Sequence, residues 1–260
     1  MSFVRGVGMW LVAAGLCYAL EGMSNEEYAK ALQEMKKGLN NKDANARATA
    51  VEAFGANEDE RVIKELGKLL NSSKGNEVRV AAVKSLGKME SHNALVVLLS
   101  GLSTAQPEAV LTAYCAALGD RGASEAKVAR IIYPKLSPLM SNQNYKVAAA
   151  AMTAVGKLKA KAAMQTLLST YKENDAKVKK DPDNKNKNTE KYSALQTAAL
   201  NAIKEITGQD FESPADAEKW WKENAKHFAE FGGLKEGKEE KPKEDKEGGE
   251  KKKQEEKKEQ

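Results

Sequence analysis

Reactive side chains are scarce in this sequence. Its 260 residues hold two cysteines and two histidines, and none has the spacing of a metal or catalytic site. C-x-x-C and H-E-x-x-H are absent, and His92 and His227 each stand alone and read as surface residues. There is no G-x-x-x-x-G-K-S/T or G-x-G-x-x-G segment to cradle a phosphate, and Ser72 and Ser73 lie in a turn without a nucleophile elbow. The segment Asp181 to Asn186 faintly suggests a calcium loop. It fails because Lys185 sits where a ligand belongs, Asn186 replaces the turn glycine and Tyr192 replaces the closing glutamate. Asn71-Ser72-Ser73 is formally a glycosylation sequon, with nothing else to indicate a eukaryotic secretory pathway. The sequence therefore assigns no catalytic residue, no cofactor and no metal ligand.

A basic tract is missing as well. The net charge is +5, but residues 235–260 carry ten lysines against ten acids, and residues 172–191 carry seven lysines against five acids. With these and Arg5 set aside, the body of the chain is too nearly neutral to displace many counterions, which argues against a nucleic-acid partner. Long apolar runs are limited to Val7–Leu20, which follows Arg5 and ends at the small residues of Cys17-Tyr18-Ala19. It falls short of the roughly 20 residues that span a bilayer. The layout is that of a secretory signal over 1–19, cleaved near Ala19, which predicts a periplasmic or secreted protein without stable membrane insertion. An uncleaved anchor is the alternative. Acylation at Cys17 is disfavoured by Leu16, where that processing needs a small residue. Cleavage leaves Cys115 as the only cysteine, so no disulfide forms within the mature chain.

What is present is a phrase that returns. ATAVEAFG ends at Gly55, VAAVKSLG at Gly87, LTAYCAALG at Gly119 and AAAAMTAVG at Gly156, and QTAALNAIK ends without the glycine at Lys204. The intervals are 32, 32, 37 and 48 residues. Self-similarity at this period marks stacked helical hairpins, each leaving an apolar face that only its neighbours cover. Alanines fall where helix axes approach closely and larger residues such as Phe54 and Leu86 fill a core. Cys115 takes the place held elsewhere by Val51, Val83, Met152 and Leu200, so it reads as a small buried hydrophobe. The terminal glycines suit helix ends that turn sharply.

The chain divides accordingly. Residues 20–39 form a capping helix introduced by the capping box Ser24 to Glu27. Residues 40–206 form the solenoid, as helix pairs near 43–55 with 58–71, 76–89 with 91–102, 106–119 with 124–140 and 143–157 with 159–173, then a last helix at 189–206. Pro134 and Pro138 should kink and then end their helix. The polar run 174–188 is expected to be a mobile loop. Residues 207–231 carry a further helix with Ser213 as N-cap and Pro214 at its first position. Trp220 and Trp221 on it are expected to seal the end of the stack, one of them half-exposed, rather than form a platform for sugar or peptide. From 232 to 260 the lysine, glutamate and glycine composition predicts disorder.

The phrase resembles the HEAT repeat, in particular the HEAT-like type also found in phycobilisome lyases. NEVRVAAVKSLGKM, Asn76–Met89, carries the likeness most fully, and the similarity extends over about 40–206. Glu205–Asn224 is similar to the closing segment of many exported bacterial HEAT-repeat proteins. The resemblance implies an all-α, right-handed solenoid whose phrase helices line the concave surface. It also implies that Arg47 and Arg79 hold the arginine position that can bond neighbouring repeats, although Leu111, Ala148 and Gln196 replace it in the other copies. Matching the exposed place of the phrase gives a concave row of Glu52, Lys84, Ala116, Thr153 and Asn201. The expected function is a monomeric, non-enzymatic exported scaffold that binds a protein or peptide. The alternatives are a lyase, isomerase or other tetrapyrrole-handling protein, and a membrane-tethered structural component of the envelope.

Overall fold

The computed structural model describes residues 22–233 and 235, apart from 182 and 184. The segment read as a signal, 1–19, and the charged stretch from 236 onward lie outside the described residues. Among those described, no helix is long and apolar enough to cross a membrane.

Helix α1 (Asn25–Gly38) opens on the predicted capping box: Glu27 N donates to Ser24 Oγ at 3.2 Å, and Ser24 N donates to Glu27 Oε2 at 2.9 Å. The recurring phrase then forms α2 (Ala44–Phe54), α4 (Asn76–Lys88), α6 (Glu108–Gly122), α8 (Tyr145–Lys157) and α10 (Thr189–Thr207). These five stack side by side in chain order, with α1 against α2. A second layer consists of α3 (Glu60–Leu69), α5 (His92–Gly101), α7 (Ala126–Leu136) and α9 (Met164–Lys179). Helices α3 and α5 pack on α4, α7 on α6 and α9 on α10. Within this layer α3 and α5 lie together, while α5, α7 and α9 do not pack closely on one another. The protein is an α-solenoid of two helical layers, one tight and one splayed.

The i, i+3 spacing within the phrase builds the core between the layers. Val51 and Phe54, Val83 and Leu86, Cys115 and Leu118, and Met152 and Val155 are all buried, as is Ile203 in the last copy. Gly55 caps the end of α2 as expected, but the other three glycines of the phrase act differently. Gly87, Gly119 and Gly156 lie inside helices, and each lets its helix meet the next. A Cβ on Gly87 would stand 2.5 Å from Ala117 Cβ, one on Gly119 2.9 Å from Ala154 Cα, and one on Gly156 2.7 Å from Ala202 Cα. Close axial approach, not backbone freedom, selects glycine here. The left-handed helix cap falls instead at Gly208, φ 71°, whose N–H donates to Lys204 O.

Helix α7 ends two residues after Pro134 and passes into a 3-10 turn, Ser137–Ser141, that contains Pro138. The polar run departs from expectation, because Asn174 to Lys179 continue α9 and do not begin a loop. The polar groups buried there find partners: Asn174 Nδ2 donates to Thr170 O at 2.8 Å, and Asp175 accepts from Gln196 Nε2 at 3.0 Å and pairs with Lys179. Helix α11 (Pro214–Asn224) has Ser213 as its N-cap and packs on α9. The boundary at 232 also shifts. Gly233 is buried, Ala229 N donates to Gly233 O and Lys235 N to His227 O, each at 2.9 Å. This closing turn is held by Lys161 N donating to Glu230 O and by Phe231 edge-on to Tyr133.

Candidate functional site

Each phrase helix places one equivalent residue on the free side of the tight layer. Glu52, Lys84, Ala116, Thr153 and Asn201 are all exposed, while the preceding core residues Val51, Val83, Cys115 and Met152 are buried. Burial of one stripe and close approach at the glycine leave this register position facing outward. The structure brings four of the five together in pairs. Lys84 and Ala116 line an open hollow of about 590 Å³ between α4 and α6, with Lys88, Glu90, Asp120 and Arg121 on its walls. Thr153 and Asn201 line a second, of about 450 Å³, between α8 and α10, with Glu190, Ser193 and Thr197. Glu52 lines neither. Thr153 Oγ donates to Ala149 O of its own helix, so its lone pairs remain available.

The two arginines differ. Arg47 bridges phrase helices: its Nε donates to Glu77 Oε1 at 2.8 Å, its Nη2 binds the same oxygen, and its Nη1 donates to the carbonyls of Asn41 and Lys42. The Glu77 carboxyl is held below its ordinary range first by its own backbone amide and then by Arg47. Arg79 stays within its own unit, its Nε donating to Ser72 O at 2.8 Å. The position on α6 corresponding to Glu77 is Ala109, which offers no acceptor. Further along, other residues link the phrase helices at the same end. Glu108 accepts from Asn144 Nδ2 at 2.7 Å and lies 3.6 Å from Lys146 Nζ, and Tyr145 Oη donates to Glu190 at 2.7 Å. Sequence reasoning followed the arginine and missed these pairs, because their chemistry changes from one unit to the next.

Trp220 and Trp221 are both half-buried. Phe228 sits between them, with ring centroids 5.9 Å from Trp220 and 5.1 Å from Trp221, and Trp220 also meets Phe211 edge-on at 5.7 Å. The pair is thus engaged in an aromatic cluster beside α9, the last helix of the splayed layer.

Among nucleophiles, Cys115 is fully buried, and burial pushes its thiol up to about 12. His92 and His227 are exposed on separate elements. Among the described residues no group of three His, Cys, Asp or Glu side chains is placed to hold a metal ion. The Asp181 carboxylate organises its own turn, accepting from the amides of Lys185 and Asn186 and from the Thr189 hydroxyl.

Comparison with known proteins bears on the repeat alone. A family model described as HEAT repeats matches residues 10–87 and again 32–119. No curated protein matches the chain. Among solved structures, the crystal structure of an engineered protein is similar, at 19% identity over 68% of this chain and 79% of that one, with a TM-score of 0.43.

Proposed function

We propose, from the premise that this chain is a HEAT-repeat protein, that it is a non-catalytic scaffold that holds a protein or peptide segment along the free side of its phrase helices. The observation that carries this reading is the row itself: five equivalent positions on five helices, all exposed, four of them lining two hollows. A stack with one tight and one splayed layer curves toward the tight one, which supports a concave phrase face. The small side chains of Ala116 and Thr153 on that face leave room for another backbone to approach. The thiol that a covalent lyase mechanism would draw on lies in the core, so the tetrapyrrole alternative gains no support from Cys115.

The reading includes export. The signal-like segment predicts a mature chain beginning near Leu20, which intact-mass measurement of the native protein checks. Binding is tested by affinity capture from the native envelope, with the parent chain compared with Ala116→Trp/Thr153→Trp, which fills both hollows, and with Val96→Trp on the splayed layer. Co-purifying protein should be lost only with the first variant. Retention of the same set by all three would refute the phrase-face assignment.

A further inference from the structure

We infer that the hollow between α4 and α6 is a subsite for an acidic peptide segment, which the cations Lys84, Lys88 and Arg121 hold through its carboxylates. The inference deepens the scaffold reading and rests on it. Only this step of the array gathers positive charge. The residues equivalent to Lys84 and Lys88 are Glu52 and Ala56, Ala116 and Asp120, Thr153 and Lys157, and Asn201 and Glu205, so no other copy places two cations on this face. Lys84 and Lys88 are one turn apart on α4, both exposed, and face Arg121 across the hollow from α6.

The charges in the hollow are not mutually satisfied. Lys157 Nζ lies 2.5 Å from Asp120 Oδ1 and takes up that carboxylate. Arg121 donates through Nη2 to the backbone carbonyl of Glu90, and its Nε is buried without a partner. Among the described residues no carboxylate lies within ion-pair distance of Lys84, Lys88 or Arg121. Three uncompensated cations thus face one remaining anion, Glu90. Arg121 is only half-buried, and its guanidinium has donors beyond the one given to the Glu90 carbonyl; a carboxylate is the acceptor with which arginine makes its strongest contacts.

The neighbouring surface favours a peptide over nucleic acid. Three cations flanked by Glu52 and Glu90 are too few for a phosphate track. Beyond them the row turns neutral, with Ala116, then Thr153 and Asn201 in the second hollow. Small and hydroxyl- or amide-bearing side chains suit the backbone of an extended segment whose acidic part is fixed at α4 and α6.

The test uses the full chain and fluorescence anisotropy with a short labelled peptide of alternating glutamate and alanine, beside its glutamine counterpart, at low and physiological salt. The glutamate peptide should bind at least about tenfold more tightly at low salt, and the gap should narrow as salt screens the contact. Lys84→Gln/Lys88→Gln should abolish the difference. Lys64→Gln/Lys135→Gln, an equal loss of charge on the splayed layer, should leave it intact. Equal binding of the two peptides, absence of binding, or equal effects of the two double variants would each overturn the subsite. Ala116→Trp separates this failure from that of the scaffold reading. If the glutamine peptide binds as well as the glutamate one and both are weakened by Ala116→Trp, the face stands and the acidic preference falls. If peptides bind but Ala116→Trp has no effect, both fall.

Discussion

From α2 to α6 the phrase returns every 32 residues, whereas from α6 to α10 the intervals grow to 37 and 48; the contact between phrase helices nevertheless stays the same. Gly87 meets Ala117 in the regular half as Gly156 meets Ala202 in the irregular one. The additional chain is taken up at helix ends, in the 3-10 turn at Ser137–Ser141 and in the extension of α9 and the turn around Asp181. The family model matches within residues 10–119, which includes the regular half and stops short of the irregular one. Stacking thus constrains a few positions per helix, and the connections between helices can lengthen without disturbing them.

The largest expected effects come from removing a core side chain in each half. Leu86 is 1% exposed and Ile203 fully buried, so Leu86→Ala and Ile203→Ala should each cost about 2–5 kcal/mol. In a quasi-linear array the loss reaches neighbours. Hydrogen exchange should rise across about 58–119 in the first variant and across α8, α9 and α10 in the second. Equal protection of distant helices in both variants would show that the halves unfold as one unit and would erase the distinction drawn here.

The fold was legible because its determinants recur. Val83, Leu86 and Gly87 return in register, and recurrence separates a solenoid from an ordinary bundle in a way that no single copy can. The exposure of the residues from Glu52 to Asn201 was legible for the same reason, since a position exposed in one copy is exposed in all. Features that occur once were not. Asn174 and Asp175 look like loop residues until Thr170 and Gln196 are placed beside them, and nothing local announces that Phe231 will meet Tyr133 and bring Gly233 into a buried turn. Gly87, Gly119 and Gly156, unlike Gly55, were misread as turns because a helix-terminal glycine and a glycine required by a neighbouring helix look alike in one chain.

That ambiguity yields a prediction of sign. Inside a helix, Gly→Ala is ordinarily stabilising by about 0.5–1 kcal/mol. At Gly87 and Gly156 the new methyl would meet Ala117 or the Ala202 backbone, and overpacking of this kind costs about 1–3 kcal/mol. Both variants should therefore lower the denaturation midpoint. The two losses should be similar, because the Cβ of Ala117 is fixed to its backbone and can swing aside no more than the Cα of Ala202 can. A rise in either midpoint would mean that the helices are held further apart than the contact requires, and would break the equivalence of the two halves.

The smallest effect concerns the acids at the two ends of the described stack. Arg61 pairs with Asp59 through Nε at 2.9 Å and Nη2 at 2.7 Å, donates to Asn25 Oδ1 and the Met23 carbonyl, and lies 4.5 Å over the Tyr28 ring. It thereby ties the entry to α1 onto α3. Its hydrogen bond holds the Asp59 carboxyl down to about 2 from an ordinary 3.8. A depressed carboxyl stabilises the fold above its unfolded value, so the contribution is complete above about pH 4 and fades as pH falls through about 2. At the far turn Asp181 is also lowered, chiefly by the Thr189 hydroxyl, but its hydrogen-bond partners, Lys185, Asn186 and Thr189, all lie in its own turn or at the start of α10. Acid should therefore loosen residues 22–38 before α4 and α6, read as earlier proteolytic cleavage or faster exchange in that segment. Asp59→Asn should show the looser state already at neutral pH and leave only the acid dependence of the Glu27 capping box, whereas Asp181→Asn should change only the turn at 181–189. If Asp59→Asn leaves the acid profile of residues 22–38 unchanged, the Arg61 clamp is not what fixes the N-terminal helix to the stack.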